Sequence, residues 1–240
     1  MPIFLSQTDF TFPPGSHADE HGIVAIGGDF NSERLIKAYK KGIFPWPHPG
    51  LPILWFCPHP RFVLEPSKIV INHTLKKLVK ISSLTIKADQ DFLTVITKCA
   101  QSPRKDQDGT WITKDMIQGY CDLHQLGFAH SIEAYEGDTL VGGLYGVGLG
   151  SIFFGESMFF EQPNASKLCF LSLVAHLIDW QFSLIDCQAH TDNLEKFGAR
   201  FINRDVFLKK IANNQKLPTK LGPWRLHLSL PAALARICPS

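Results

Sequence analysis

Two polar residues close one predicted buried strand. Asp186 and Gln188 follow the apolar run 182–185, so in a regular strand their side chains share one face where the chain leaves the core. A carboxylate there can hold or deprotonate an ammonium group, and an amide can orient a carbonyl or hydroxyl group. Alternatively, Asp186 caps the next helix or pairs with an arginine such as Arg200 or Arg204. Position alone leaves both interpretations open.

A single carboxylate ends an uncharged stretch. Residues 139–155 carry no charge, and Glu156 follows them. Burying a carboxylate among apolar residues is unfavourable without a partner, so a cationic ligand is one interpretation and a surface charge at a strand end is the other. Gly155 can mark a bulge that re-aims these side chains. The neighbours that suit either an apolar pocket or simple core are Leu144, Phe153 and Met158.

A basic stripe lies on a predicted helix. No acidic residue occurs in 66–88, and four basic residues follow the i, i+3, i+4, i+7 spacing of one helix face. Such a stripe suits phosphate contacts, although most charged stripes are solvated helix faces. The stripe consists of His73, Lys76, Lys77 and Lys80. Flat side chains that either stack on bases or pack in the core are Trp46, Trp55, Phe56 and Trp111.

Composition excludes several classes of protein. The chain has 240 residues, with 24 Lys+Arg against 22 Asp+Glu, so the net charge is +2 and any nucleic-acid contact must come from a local patch. The six cysteines include no CxxC pair, which argues against a zinc ribbon or a disulfide framework. His190 lacks the partner of a zinc helix and Cys187 lies mid-strand, so neither a triad nor a metal site is favoured. The N-terminus does not look like a secretory signal, and 139–155 is too short for a membrane span, so we expect a cytoplasmic protein.

The periodicity of apolar residues and the positions of glycine and proline predict an α+β fold. The second half of the chain follows the order β-β-β-α-β. The irregular, proline-rich sequence gives way to regular strand and helix patterns near Gly127-Phe128, which suggests domains at 1–127 and 128–240. The segment 43–47 is predicted to be a rigid loop that presents aromatic residues. Predicted helices cover 31–42, 72–80, 90–100, 113–126, 164–178, 192–197 and 205–212. Predicted strands cover 53–56, 62–64, 129–135, 140–141, 144–149, 152–158 and 182–187.

Nine short strings together resemble the signature of the leucyl/phenylalanyl-tRNA-protein transferases, in order along the chain. Few other families combine GIFPW, GTWI, GESMF and IDCQ. The strings are IGGD (26–29), AYKKGIFPW (38–46), PILW (52–55), GTWI (109–112), AHSIE (129–133), LVGGLYGV (140–147), FGESMF (154–159), NASK (164–167) and LIDCQ (184–188).

The resemblance implies an enzyme that moves leucine or phenylalanine, and sometimes methionine, from its tRNA to the α-amine of a protein beginning with Arg or Lys. The product would be marked for the N-degron adaptor and its protease. The implied fold pairs a family-specific N-terminal α/β domain with a C-terminal GNAT-like (acetyltransferase-like) domain. Neither a metal nor another cofactor is implied, because the aminoacyl ester is already activated. We also expect a monomer.

Roles for the residues singled out above follow from the same resemblance. Asp186 and Gln188 would be catalytic: Asp186 would orient the attacking amine, either as a true base or mainly by positioning it, and Gln188 would align the reacting groups. Glu156 would meet the positive charge of the acceptor. Trp46 and Trp111 would pack the tRNA 3′ end, and His73, Lys76, Lys77 and Lys80 would hold the tRNA backbone. The aminoacyl side-chain pocket would use Leu144, Phe153, Met158 and Leu177.

Two rival functions come from different classes. A GNAT-type N-acetyltransferase would use acetyl-CoA and carry a [QR]-x-x-G-x-[GA] loop, which is missing before Asn164. A non-catalytic RNA-binding or N-degron-binding module would have lost Asp186 or Gln188, and both are present.

Overall fold

The computed structural model describes residues 1–48, 50–102 and 111–239, so Gly109 and Thr110 of the GTWI string lie outside the described residues. The strands are β1 (Ile3–Leu5), β2 (Ile23–Gly27), β3 (Phe44–Trp46), β4 (Leu54–Phe56), β5 (Arg61–Leu64), β6 (Thr85–Ala88), β7 (Ala129–Glu136), β8 (Thr139–Leu149), β9 (Ile152–Phe160), β10 (Leu184–Gln188) and β11 (Arg200–Ile202). The α-helices are α1 (Ser32–Tyr39), α2 (His73–Ile81), α3 (Phe92–Gln101), α4 (Lys114–Gln125), α5 (Ala165–Asp179), α6 (Asp192–Lys196), α7 (Arg204–Asn214) and α8 (Leu230–Ile237).

The strands form two sheets. The smaller has the order β1-β2-β4-β3, and the larger has the order β11-β5-β10-β9-β8-β7-β6. Strands β7, β8 and β9 form an antiparallel meander, α5 follows, and β10 pairs parallel to β9. The α+β class and the predicted β-β-β-α-β order are therefore confirmed, in agreement with the GNAT-like domain that the resemblance implies.

The two sheets separate near residue 60 rather than at the predicted seam of Gly127-Phe128. Strands β5 and β6 precede that seam, yet β5 pairs with β10 and β6 with β7 in the larger sheet. Helices α3 and α4 also pack on the larger sheet. These pairings join segments far apart in sequence, so a change in the local sequence pattern does not reveal them.

The larger sheet is the central layer between two apolar cores. Alternate residues of β10 serve opposite faces: Leu184 joins one core, and Ile185 joins the other. The first core holds the small sheet with α1, α3 and α4, whereas the second holds α2, α5 and α8. Helix α5 is buried on nearly every side, as its uniformly apolar sequence predicts.

Glycines in β8 allow close packing and form no phosphate loop. A Cβ at Gly142 would lie 2.5 Å from the Cβ of Ala165, the first residue of α5. A Cβ at Gly146 would lie 2.3 Å from the carbonyl oxygen of Phe154 on β9. Glycine at these positions lets the helix and the neighbouring strand approach the backbone of β8.

Several elements were not predicted. The segment 44–46 is strand β3, paired with β4, and not a loop. Strands β1, β2, β6 and β11 were also missed, because three to five residues carry little periodic signal. Helix α8, of eight residues, was missed as well. Among the described residues, no helix has the length and apolar character needed to cross a membrane.

Candidate active site

A bulge in β9 turns Glu156 out of the regular strand. Tyr145 of β8 pairs with Ser157, and the next residue, Gly146, pairs with Gly155, so Glu156 has no partner across the ladder. Such bulges re-aim a side chain. The bulge expected at Gly155 is therefore present, one residue away.

Three donors converge on the Glu156 carboxylate. Tyr39 donates to Oε1 at 2.7 Å, Gln188 Nε2 donates to the same oxygen at 2.7 Å, and Tyr120 donates to Oε2 at 3.1 Å. The two phenol oxygens also lie within hydrogen-bond distance of each other. The donors come from α1, α4 and β10, so elements from both sides of residue 127 build the site.

Burial shifts the titration of this cluster. Burial raises the pKa of Glu156 to about 7, the three hydrogen bonds oppose the rise, and the charge of Asp186 adds to it. Burial and the Glu156 charge raise the pKa of Tyr39 and Tyr120 well above the usual value for a phenol, so both remain protonated donors. Glu156 can thus change its charge near neutral pH.

Asp186 lies behind this cluster in a buried ion pair. Its oxygens accept hydrogen bonds from Arg61 Nε at 2.8 Å and Nη2 at 2.6 Å, and both side chains are 0% exposed. Phe44 and Phe207 cover the guanidinium, with ring centroids 4.7 and 4.5 Å away. Both oxygens accept from Arg61, and Asp186 is not among the described residues that line the cleft. Of the two roles that the resemblance leaves open, base or positioning group, we therefore expect the positioning role.

Arg61 is therefore the partner of Asp186, and the alternatives Arg200 and Arg204 are wrong. Arg200 pairs with Glu65, and Arg204 donates to the carbonyl of Cys57. The correct partner lies 125 residues away in sequence, on a strand that meets β10 only in the folded sheet.

Gln188 links the ion pair to Glu156. Its backbone N–H donates to Asp186 Oδ1 at 3.0 Å, while its side chain reaches Glu156. Its φ of 61° lies in the left-handed region, and β10 shifts register there. A non-glycine residue in this region is strained, and such strain is common at functional sites. The predicted sharing of one strand face is therefore wrong: the register shift directs the Gln188 side chain to the cleft and leaves the Asp186 side chain buried, and the two residues meet through the backbone N–H of Gln188.

A cleft of about 860 Å³ opens over Glu156 and Gln188. Leu144, Phe153 and Met158 line it, as predicted for the side-chain pocket. Leu177 is fully buried and does not line the cleft; Leu173, one helical turn earlier on α5, takes its place. The two leucines lie on the same face of α5, one turn apart.

The two predicted stacking residues lie on the wall of the same cleft. Trp46 and Trp111 are both partly exposed there. Trp46 stacks on His48 at 5.9 Å between ring centroids and meets Phe56 edge-on at 5.7 Å. Trp55, in contrast, is fully buried core.

The basic stripe is present on α2. His73, Lys77 and Lys80 are exposed and Lys76 is partly exposed. No ion pair joins any of the four to an acidic residue in the described part of the chain. The positive charge is thus available to a polyanion.

Sequence reasoning missed Tyr39, Tyr120 and Arg61. Apart from its place in the AYKKGIFPW string, Tyr39 was given no role, and neither were Tyr120 and Arg61. An unpaired buried Asp186 was the one signal for Arg61, because a buried carboxylate requires a partner. Burial raises the pKa of the Cys187 thiol well above its usual value, and His190 packs on Phe62 and Phe201, so neither enters the cluster.

Chemically, the site joins an apolar cleft to a carboxylate that titrates near pH 7. Such a carboxylate can accept a proton from an amine, and the phenols and amide fix its position.

Comparisons with known proteins agree with this picture. The family model described as leucyl/phenylalanyl-tRNA protein transferase matches residues 63–212, and the model of its N-terminal domain matches 28–59. The boundary between these two ranges lies where the chain passes from the smaller sheet to the larger one.

Three relatives named leucyl/phenylalanyl-tRNA–protein transferase align over nearly their whole length. The protein from Myxococcus xanthus (strain DK1622) is 48% identical over 226 residues, covering 93% of this chain and 97% of the relative. Those from Anaeromyxobacter sp. (strain Fw109-5) and Ectopseudomonas mendocina (strain ymp) are 46% and 47% identical, covering 94% and 92% of this chain and 96% and 98% of theirs.

A solved structure of L-PGS from Bacillus licheniformis aligns with 71% of this chain and 53% of its own, at 10% identity and a TM-score of 0.39, which is too remote to support an inference. The family model and the relatives suffice: this chain belongs to the leucyl/phenylalanyl-tRNA protein transferase family.

Proposed function

We propose that this chain transfers leucine or phenylalanine, and less often methionine, from aminoacyl-tRNA to the N-terminal α-amine of proteins beginning with Arg or Lys. The observation that carries the proposal is the Glu156 carboxylate, held by Tyr39, Tyr120 and Gln188 at the floor of an apolar cleft. Family membership supports the donor and acceptor classes.

In the reaction, the amine nitrogen attacks the ester carbonyl. A C–N bond forms, the C–O bond to the terminal ribose breaks, and the proton lost by the amine ends on the ribose oxygen. An α-ammonium has a pKa of about 7.7–8.0, so its proton must be removed first. Glu156, with a pKa of about 7, can accept this proton at a free-energy difference of about 1 kcal/mol, against about 4 kcal/mol for an unperturbed glutamate.

Glu156 thus meets the acceptor, as the resemblance implies, and also takes the proton. Gln188 orients the amine beside it, because its side-chain NH₂ is directed at Glu156 and its carbonyl oxygen can accept from an N–H. Asp186 and Arg61 hold the backbone of Gln188 in place. Proximity supplies much of the remaining acceleration.

The apolar cleft would receive the aminoacyl side chain. Its lining of Leu144, Phe153, Met158 and Leu173 suits leucine, phenylalanine and methionine. Valine and isoleucine branch at Cβ, and a narrow entrance would exclude them.

The tRNA would meet the protein at two places. Trp46 and Trp111 would pack the terminal adenosine by stacking. The α2 stripe of His73, Lys76, Lys77 and Lys80 would contact backbone phosphates, which carry no sequence information and suit an enzyme that accepts several tRNAs. Because charged tRNA is the donor, we expect the monomeric protein to act in the cytoplasm and its products to reach the N-degron adaptor and protease.

The test is transfer of radiolabelled leucine from charged tRNA to a peptide beginning with Arg. A peptide with an acetylated N-terminus is the matched control, and acetyl-CoA is offered separately as a donor. Transfer to the free amine alone supports the proposal. Acetylation without aminoacyl transfer would favour the acetyltransferase alternative and contradict it.

A further inference from the structure

A second groove adjoins the cleft, between α2, α5 and α6. We call it the side groove, and its volume is about 130 Å³. Its floor is apolar and its rim is polar or basic. The lining residues are Val70, Asn72, Thr74, Leu75, Leu78, Asn164, Lys167, Asn193, Lys196 and Phe197.

The side groove and the cleft are adjacent and share three lining residues. Asn164, Lys167 and Asn193 line both. Two of these belong to the NASK string, which none of the roles above explains. Its third residue, Ser166, lines the cleft at 4% exposure, and its hydroxyl has no hydrogen-bond partner among the described residues. The junction therefore offers polar groups to something that passes from one cavity to the other.

Size limits the occupant to an extended chain. One turn of an α-helix, about 10 Å across and 5.4 Å long, occupies roughly 400 Å³, several times the volume of the side groove. Only a segment of an extended chain, such as one sugar-phosphate unit of RNA or one peptide residue, fits this limit.

Charge decides between the two. Lys167 and Lys196 are the charged residues of the lining, and no carboxylate is among the described residues that line it. Lys196 is exposed and makes no ion pair within the described ranges. An acceptor beginning with Arg or Lys would be repelled here, whereas phosphates would be attracted.

The side groove also leads to the basic stripe. Helix α2 contributes Thr74, Leu75 and Leu78 to the wall of the groove, and it carries Lys77 and Lys80 on its exposed side. A strand leaving the cleft through the groove would thus reach the surface that suits a duplex backbone.

We infer that the side groove holds the unpaired 3′ strand of the tRNA, between the terminal adenosine in the cleft and the acceptor stem on α2. Lys196 and Lys167 contact its phosphates, and Asn164, Asn193 and Ser166 contact its sugars or phosphates at the junction. This inference rests on the proposed function, and it assigns the NASK string a role in holding the donor strand.

The experiment compares leucyl donors of increasing length: leucyl-adenosine, leucyl-CCA and leucyl-tRNA. The variants are Lys196→Ala and Lys196→Glu, with Lys210→Glu, on the exposed surface of α7, as the matched charge control. We expect the KM for leucyl-CCA and leucyl-tRNA to rise about fivefold with alanine and about tenfold with glutamate. Leucyl-adenosine, which has no phosphate, should react equally well with every variant, as should all donors with Lys210→Glu.

Three results would overturn the inference. They are an unchanged KM for the two longer donors, an equal loss with leucyl-adenosine, and a rise confined to the KM of the Arg peptide, which would make the groove an acceptor site.

If the wild-type protein transfers from none of the donors, the proposed function fails, and binding then tests the groove separately. A labelled single-stranded ACCA RNA should bind the wild type more tightly than Lys196→Glu, with a log–log salt slope steeper by about 0.7. Equal binding would refute the groove assignment.

Discussion

Replacing Asp186 with alanine should destabilise the protein because it leaves Arg61 charged and fully buried. The two bonds between these residues, at 2.8 and 2.6 Å, are the only ones the described residues give the guanidinium, and Nη1 has none. Removing one partner of a buried pair costs about 3–5 kcal/mol. That is a fifth or more of a total stability of about 5–15 kcal/mol.

The double variant Arg61→Met/Asp186→Ala separates stability from chemistry. An apolar replacement of a buried pair is often neutral, and methionine can pack between Phe44 and Phe207. We expect the double variant to recover at least half of the lost unfolding free energy. The remaining loss reflects a small cavity and the missing acceptor for Gln188 N–H.

The assays are denaturant unfolding followed by tryptophan fluorescence, and leucine transfer to an Arg peptide. At this chain length, 3–5 kcal/mol corresponds to a Tm lower by about 6–20 °C. Arg200→Met, which breaks the exposed pair with Glu65, is the control and should cost less than about 1 kcal/mol.

Turnover decides the role of Asp186. As a positioning residue, it should leave the stable double variant within about tenfold of the wild-type turnover. A base contributes about 10²–10⁴-fold. If the double variant folds as stably as the wild type yet loses about a thousandfold in turnover, Asp186 takes part in the chemistry and our interpretation is refuted.

Three further predictions concern Glu156 and the stripe. Because the pKa of Glu156 is raised from 4.5 to about 7, its contribution to stability is full below about pH 4.5 and is lost as the pH rises through 7. The unfolding free energy should fall over that window by at most about 3 kcal/mol, and by less because the side chain is partly exposed. Urea titrations at several pH values measure this dependence of stability on pH, and Glu156→Gln should abolish it. A dependence that persists in the variant would implicate another group. Tyr39→Phe removes a bond that lowers the pKa of Glu156, so the rising limb of the pH–rate profile should move to higher pH, and a shift to lower pH would contradict the assignment. Reversing the charge at Lys76, Lys77 and Lys80 should weaken tRNA binding and flatten its log–log salt slope by about 0.9 per lost contact, whereas an unchanged slope would remove the stripe from the tRNA site.

Local features of the fold were predictable from the sequence. Asn31 and Asn72 cap α1 and α2 by accepting from Glu33 N and Leu75 N, and capping residues are visible in a sequence. The bulge around Gly155 was likewise foreseeable, because it depends on neighbouring residues.

Contacts between distant segments were not predictable. Tyr39 and Tyr120 are 81 residues apart, and Arg61 and Asp186 are 125 apart. The periodicity of the sequence does not indicate such long-range contacts, because they depend on how the two layers pack together. The same limit explains why β5 and β6, which precede residue 127, were not assigned to the larger sheet: they join it by pairing with strands that come much later in the chain.

The hydrogen-bond donors to Glu156 lie on α1, α4 and β10, and this arrangement has an evolutionary consequence. A piece starting at residue 63 would keep the carboxylate and the pocket, but it would lack Tyr39 and Arg61. The N-terminal segment is therefore not an interchangeable module that could be exchanged for another RNA-binding unit. Substitutions in the N-terminal segment and in the rest of the chain must both be compatible with one shared hydrogen-bond network. We therefore expect these two parts of the chain to have been inherited together.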